Sequence, residues 1–152
     1  MVVIRTAAAG ILPAILLLAL VALAEEPDAG ATSVWSGVYS EAQAQRGAAI
    51  YPSICGRCHG YKLDGAPDDP DMFSTLPIAG PKFLRNWNGN SLGALFEYTR
   101  TTMPEINPGS LSDQEFVAVI AYMLSVTGMP AGAIELPPDV STLAAIRLEP
   151  EP

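Results

Sequence analysis

Residues 54–60 read Ile-Cys-Gly-Arg-Cys-His-Gly, "ICGRCHG". The 152-residue chain has two cysteines and one histidine, and Cys55, Cys58 and His59 account for all three. Chemistry built here has no other thiol or imidazole to draw on. A structural zinc ion takes four ligands, commonly from two Cys/His clusters, and no second cluster exists. A thioredoxin-like Cys-x-x-Cys belongs to a βαβ setting, whereas a helical pattern and Pro52 precede this one. A disulfide between Cys55 and Cys58 would close a very small loop and add little stability.

Cys-x-x-Cys-His is also the attachment motif of a c-type haem. Two cysteines three apart lie on one side of a helical turn. Both sulfurs can therefore meet the two vinyl-derived carbons on one edge of a porphyrin. The histidine that follows is carried under the ring, where an imidazole nitrogen can bind the iron. One cofactor would then use all three scarce residues. The opposite face of the iron needs its own ligand, and without a second histidine the candidates are methionines. Met72 lies in an acidic, turn-rich loop, Met123 sits at a core spacing in a helix, and Met129 precedes Pro130. Met103 lies in "TRTTMPEINPG", a polar loop stiffened by Pro104 and Pro108, and it is the expected second ligand. The expected haem site is thus Cys55, Cys58, His59 and Met103, with iron between His59 and Met103.

Three helices are legible around the motif. The first runs from about Glu41 to Tyr51, with Ser40 and Gln43 as a capping box and Pro52 as its end. The second runs from about Leu92 to Thr101, with Ser91 as N-cap. The third is capped by Ser112 and Glu115, carries Phe116, Val119, Ile120, Met123 and Leu124 at helical spacing, and stops at Gly128. Between the first two, residues 60–90 are dense in turn signals such as Asp64-Gly65, Gly80-Pro81 and Asn88-Gly89-Asn90. No run of alternating strand residues stands out. Three modest helices and about 30 residues of loop make a marginal core, and a large apolar cofactor at the centre would complete it. The tail from Pro130 is Pro-rich, with a weak apolar pattern at Leu143, Ile146 and Leu148, and is expected to lie along the domain surface or to fray.

The N-terminus reads as a secretory signal peptide over residues 1–24. Arg5 precedes an uncharged apolar run, Ala22-Leu23-Ala24 gives a small-x-small cleavage site, and Glu25-Glu26 follows. An uncleaved membrane anchor is the rival reading, because 18 apolar residues nearly span a bilayer. Export places the protein in the periplasm. The whole chain carries 8 basic and 16 acidic residues, a formal net charge of −8, which argues against nucleic acid or an anionic membrane as partner. Six of the basic residues fall between Arg46 and Arg100. The expected layout is signal peptide 1–24, N-terminal extension 25–39, haem domain 40–128 and C-terminal extension 129–152.

These residues resemble the small class I c-type cytochromes over roughly Ser40 to Gly128. The parts come in that family's order: a helix with Gly47 and Tyr51, the Cys55–His59 motif, a Pro/Gly loop, Thr102-Met103-Pro104, and a last helix with Ala121-Tyr122-Met123-Leu124. The resemblance implies an all-α cytochrome c fold, with three main helices and loops wrapped around one covalent haem. It implies a close crossing of the first and last helices at Gly47, Tyr51 and Tyr122. It also implies a backbone carbonyl from "LPIAGPKF" against the proximal histidine, with Leu76 standing where the family often has proline and Pro77 shifted by one, and a haem propionate near Trp87. The flanks "SVWSGVYSEAQAQRG" and "TGMPAGAIELP" are similar to cytochromes associated with quinoprotein alcohol dehydrogenases. The implied function is single-electron transfer rather than enzymatic turnover, from a dehydrogenase donor to an oxidase or cytochrome acceptor, through transient contacts. Two alternatives stand beside it: a haem c subunit of a dehydrogenase complex, and a five-coordinate haem enzyme or ligand binder.

Overall fold

A computed structural model describes residues 32–71 and 76–152. The signal segment, the start of the N-terminal extension and Met72 lie outside the described residues. The described chain is mostly helical, in the all-α class expected. Helix α1 spans Glu41–Ile54, α2 Gly56–His59, α3 Gly80–Trp87, α4 Leu92–Thr102, α5 Asp113–Thr127 and α6 Val140–Leu143. Two-residue strands, β1 at Thr32–Ser33 and β2 at Ile146–Arg147, pair in parallel. They are too short to leave a period-2 signal in the sequence. Among the described residues no helix is long and apolar enough to cross a membrane.

The frame is the crossing of α1 and α5. A Cβ on Gly47 would lie 1.9 Å from the Ala118 carbonyl oxygen and 2.9 Å from the Tyr122 Cβ. No side chain fits there, and its absence lets the two helices approach backbone to backbone. Tyr51 and Tyr122 then meet edge to face at 5.5 Å. The inward face of α5, from Phe116 through Val119, Ile120 and Leu124, is buried throughout. Ser112 and Glu115 form the full reciprocal capping box, and Gly128 ends the helix at φ 99°.

Three features depart from the sequence reading. Pro52 does not end α1, which continues to Ile54. Proline removes the N–H that would bond the Ala48 carbonyl, but its ring is exposed and the Cys55 N–H still reaches the Tyr51 carbonyl at 2.8 Å. The Ser40 cap is one-sided. Its hydroxyl accepts from the Gln43 N–H at 3.1 Å, while the Gln43 side chain, 2 % exposed, turns to the tail instead. It donates to the Leu136 carbonyl and accepts from the Leu136 N–H, both at 2.9 Å. Finally, the turn-rich middle contains α3. Gly80-Pro81 starts this helix rather than breaking the chain, as proline does in a first turn, and Phe83 and Trp87 form its inward face.

The two ends of the described chain are built into the domain. The tail bonds Tyr39 through the Gly132 N–H at 2.7 Å and lays α6 on α4. Gly93 permits that contact, since a Cβ there would lie 2.8 Å from the Ala144 nitrogen and the Val140 oxygen. Leu136, Leu143, Ile146 and Leu148 are all buried. The Trp35 indole N–H donates to the Glu149 carbonyl at 2.9 Å, joining the N-terminal stretch to the last residues.

Candidate haem site

The end of α1 delivers the motif. The Cys58 and His59 N–H groups both return to the Cys55 carbonyl, at 3.1 and 2.9 Å, so residues 55–59 form one helical turn. That turn puts both cysteines and the histidine on one cleft of about 310 Å³, at the small end of the roughly 300–1,000 Å³ typical of cofactor sites. Neither cysteine is in a disulfide. Burial, with Cys58 nearby, pushes the Cys55 thiol up to about 11. Tyr51, buried on α1, donates to the Gly60 carbonyl at 2.8 Å, and the Gly65 N–H bonds the His59 carbonyl at 2.9 Å. The backbone on the far side of the histidine is thereby held from two directions.

His59 is half-buried. Burial lowers its pKa and the Leu76 backbone acts against that shift as an acceptor, so the imidazole is neutral at neutral pH and able to ligate. Its Nδ1 is buried without a hydrogen bond of full geometry. The Leu76 segment is anchored by the Ile78 N–H on the Leu63 carbonyl at 2.9 Å and by the Gly80 N–H on the Thr127 hydroxyl at 3.0 Å. The backbone of Leu76, in the loop that resembles a proximal-carbonyl supplier, lies against His59.

The remaining walls are apolar. Helix α3 contributes Phe83 and Trp87, α4 contributes Leu95 and Tyr98, and α5 contributes Phe116 and Val119. Met103 caps the C-terminus of α4, its N–H on the Thr99 carbonyl at 2.9 Å, and its side chain lines the same cleft as His59. Met123 is a buried part of the α5 wall. Met129 is buried outside the cleft, where its carbonyl accepts from Tyr39 at 2.7 Å. Trp87 lines the cleft edge-on to Tyr98, centroids 5.8 Å apart. Sequence reasoning does not single out Tyr98 or Glu105, both in the lining. Tyr98 carries a signal, one turn past Leu95 on the apolar face of α4. Glu105 carries none beyond its nearness to Met103.

A family model described as cytochrome c oxidase, cbb3-type, subunit III matches residues 42–123, more than half of the chain. The chain belongs to this family of c-type cytochrome domains. Comparison with curated proteins and with solved structures gave no match. A c-type cytochrome carries covalently bound haem c with iron, and the residues present fit that group. Two free thiols, a half-buried imidazole whose Nδ1 is short of a full hydrogen bond and an apolar cleft are the complements of a vinyl edge, an iron and a macrocycle. Among the described residues no group of three or more His, Cys, Asp and Glu side chains could hold a metal ion alone. The bound haem supplies one-electron redox chemistry between Fe(II) and Fe(III). The protein's own residues supply the apolar walls and hold the backbone around the imidazole through the contacts at 59–65.

Proposed function

We propose that the protein is a periplasmic single-electron carrier in which His59 and Met103 ligate the haem iron from opposite sides and Cys55 and Cys58 attach the ring. The observation that carries this reading is the convergence of all four side chains on one cleft. A thioether ligand favours the reduced state and raises the potential relative to a second histidine. Electrons enter and leave at the cleft mouth, where Ile54, Leu76 and Tyr98 are exposed large apolar groups lining the rim. Such a collar suits small, transient docking. The donor is a quinoprotein or similar dehydrogenase and the acceptor an oxidase or another cytochrome. The matched family's description, an oxidase subunit, supports the acceptor half. It also favours the second reading, a haem subunit held within a larger oxidoreductase. The apolar run and Ala22-Leu23-Ala24 support export.

Met103→Ala tests the ligand set. The haem-loaded variant should lose the far-red charge-transfer band of methionine-ligated ferric haem, show a lower midpoint potential and bind carbon monoxide when reduced. An unchanged spectrum and potential would remove Met103 from the iron.

A further inference from the structure

The loop that delivers Met103 runs from the end of α4 to the start of α5. Its internal bonds are local: the Asn107 N–H to the Pro104 carbonyl at 2.8 Å and the Gly109 N–H to the Met103 carbonyl at 3.2 Å. Arg100 stands three residues before Met103. Its Nε donates to Glu97 at 2.7 Å, its Nη1 lies 3.8 Å from the Asp113 carboxylate, and its guanidinium covers the buried Phe96 ring at 5.6 Å. Asp113 is the first residue of α5. One side chain thus links the two helices that bracket the loop, oriented by a carboxylate and an aromatic face on its own helix.

We propose that Arg100 is a positioning residue for the distal ligand: by clamping the end of α4 to Asp113 it holds the loop closed and keeps the Met103 sulfur on the iron. This rests on the ligation reading above. A thioether is a soft donor, poorly matched to ferric iron. The ferric protein is therefore in equilibrium between a Met103-bound form and an open form, and a contact present in the closed form alone shifts that balance. An exposed pair shifts it modestly, and salt weakens the effect.

The test uses haem-loaded ferric protein and exogenous imidazole, which competes with the sulfur. Arg100→Gln and Asp113→Asn should each bind imidazole about two- to fivefold more tightly than the parent. The double variant should gain little beyond either single one, because both remove the same contact. Arg100→Lys, which keeps the charge, should recover much of the parent behaviour. Added salt should raise imidazole affinity in the parent more than in Arg100→Gln. A role confined to general stability would move the urea midpoint without this pattern. Imidazole affinities in both single variants equal to the parent would overturn the clamp, and Asp113→Asn alone decides if Arg100→Gln fails to load haem. If the far-red band is present in the parent and lost in Met103→Ala, that result leaves the ligation reading standing. If the parent lacks the band, ligation and clamp fall together.

Discussion

Gly47 shows how much one missing side chain decides. A methyl added there would sit 1.9 Å from a backbone carbonyl across the α1–α5 crossing and close to the Tyr122 Cβ, neither of which can swing aside. Gly47→Ala must push the helices apart, which costs about 3 kcal/mol or more, and should lower the urea midpoint of the haem-loaded protein correspondingly. A midpoint equal to the parent's would mean that the crossing is looser than described. At the same scale the motif residues are fully legible, because scarcity and spacing alone single out Cys55, Cys58 and His59. Met103, singled out by its loop context, lines the cleft beside His59. Tyr98 and Glu105 join the cleft only through the path of α4 and the loop after it, which no local pattern encodes.

Among the elements, the helices whose caps are local read well from sequence. Ser112, Glu115 and Gly128 act through contacts within a few residues, so their meaning does not depend on the rest of the fold. Helix α3 escapes a sequence reading because Gly80-Pro81 fits a turn and a helix start equally; the Thr127 hydroxyl, 47 residues away, receives the Gly80 N–H. Pro52 misleads for the complementary reason, since α1 runs on to Ile54 and α2 takes up the chain at Gly56, one residue later. The short α6 depends on its N-cap. Asp139 accepts from the Thr142 N–H, the Thr142 hydroxyl and the Ser141 hydroxyl, and these hydrogen bonds lower its pKa from 3.8 to about 2. A carboxyl with a depressed folded-state pKa stabilises the fold fully above its unfolded value and loses that contribution as pH falls through the folded one. The protein should therefore lose stability between about pH 4 and pH 2, and Asp139→Asn should flatten that part of the urea-midpoint profile. An identical acid limb in parent and variant would assign the loss to other carboxylates.

For the whole molecule, the C-terminal tail belongs to the cooperative unit. Leu136, Leu143, Ile146 and Leu148 are buried, and each fully buried aliphatic side chain contributes about 1.5–3 kcal/mol. Together they rival the roughly 5–15 kcal/mol that holds a typical domain. A chain ending at Pro130 also leaves Gln43 buried or newly wetted without its Leu136 partner. Such a truncation should yield little haem-loaded protein, and what is recovered should unfold at much lower urea. Full loading with an unchanged midpoint would show the tail to be an appendage.

The sequence by itself determined the Cys55–His59 haem-attachment motif, the helical class and the capped helices, because these rest on residue scarcity, fixed spacing and contacts a few residues long. Only the tertiary structure decided that Leu76 lies against His59, that Gln43 serves the tail rather than its own helix, and that the N-terminal stretch joins the tail. Each of those depends on partners well apart in the chain, whose meeting is set by the close crossing at Gly47 and the packing of α4 and α6, not by any local preference.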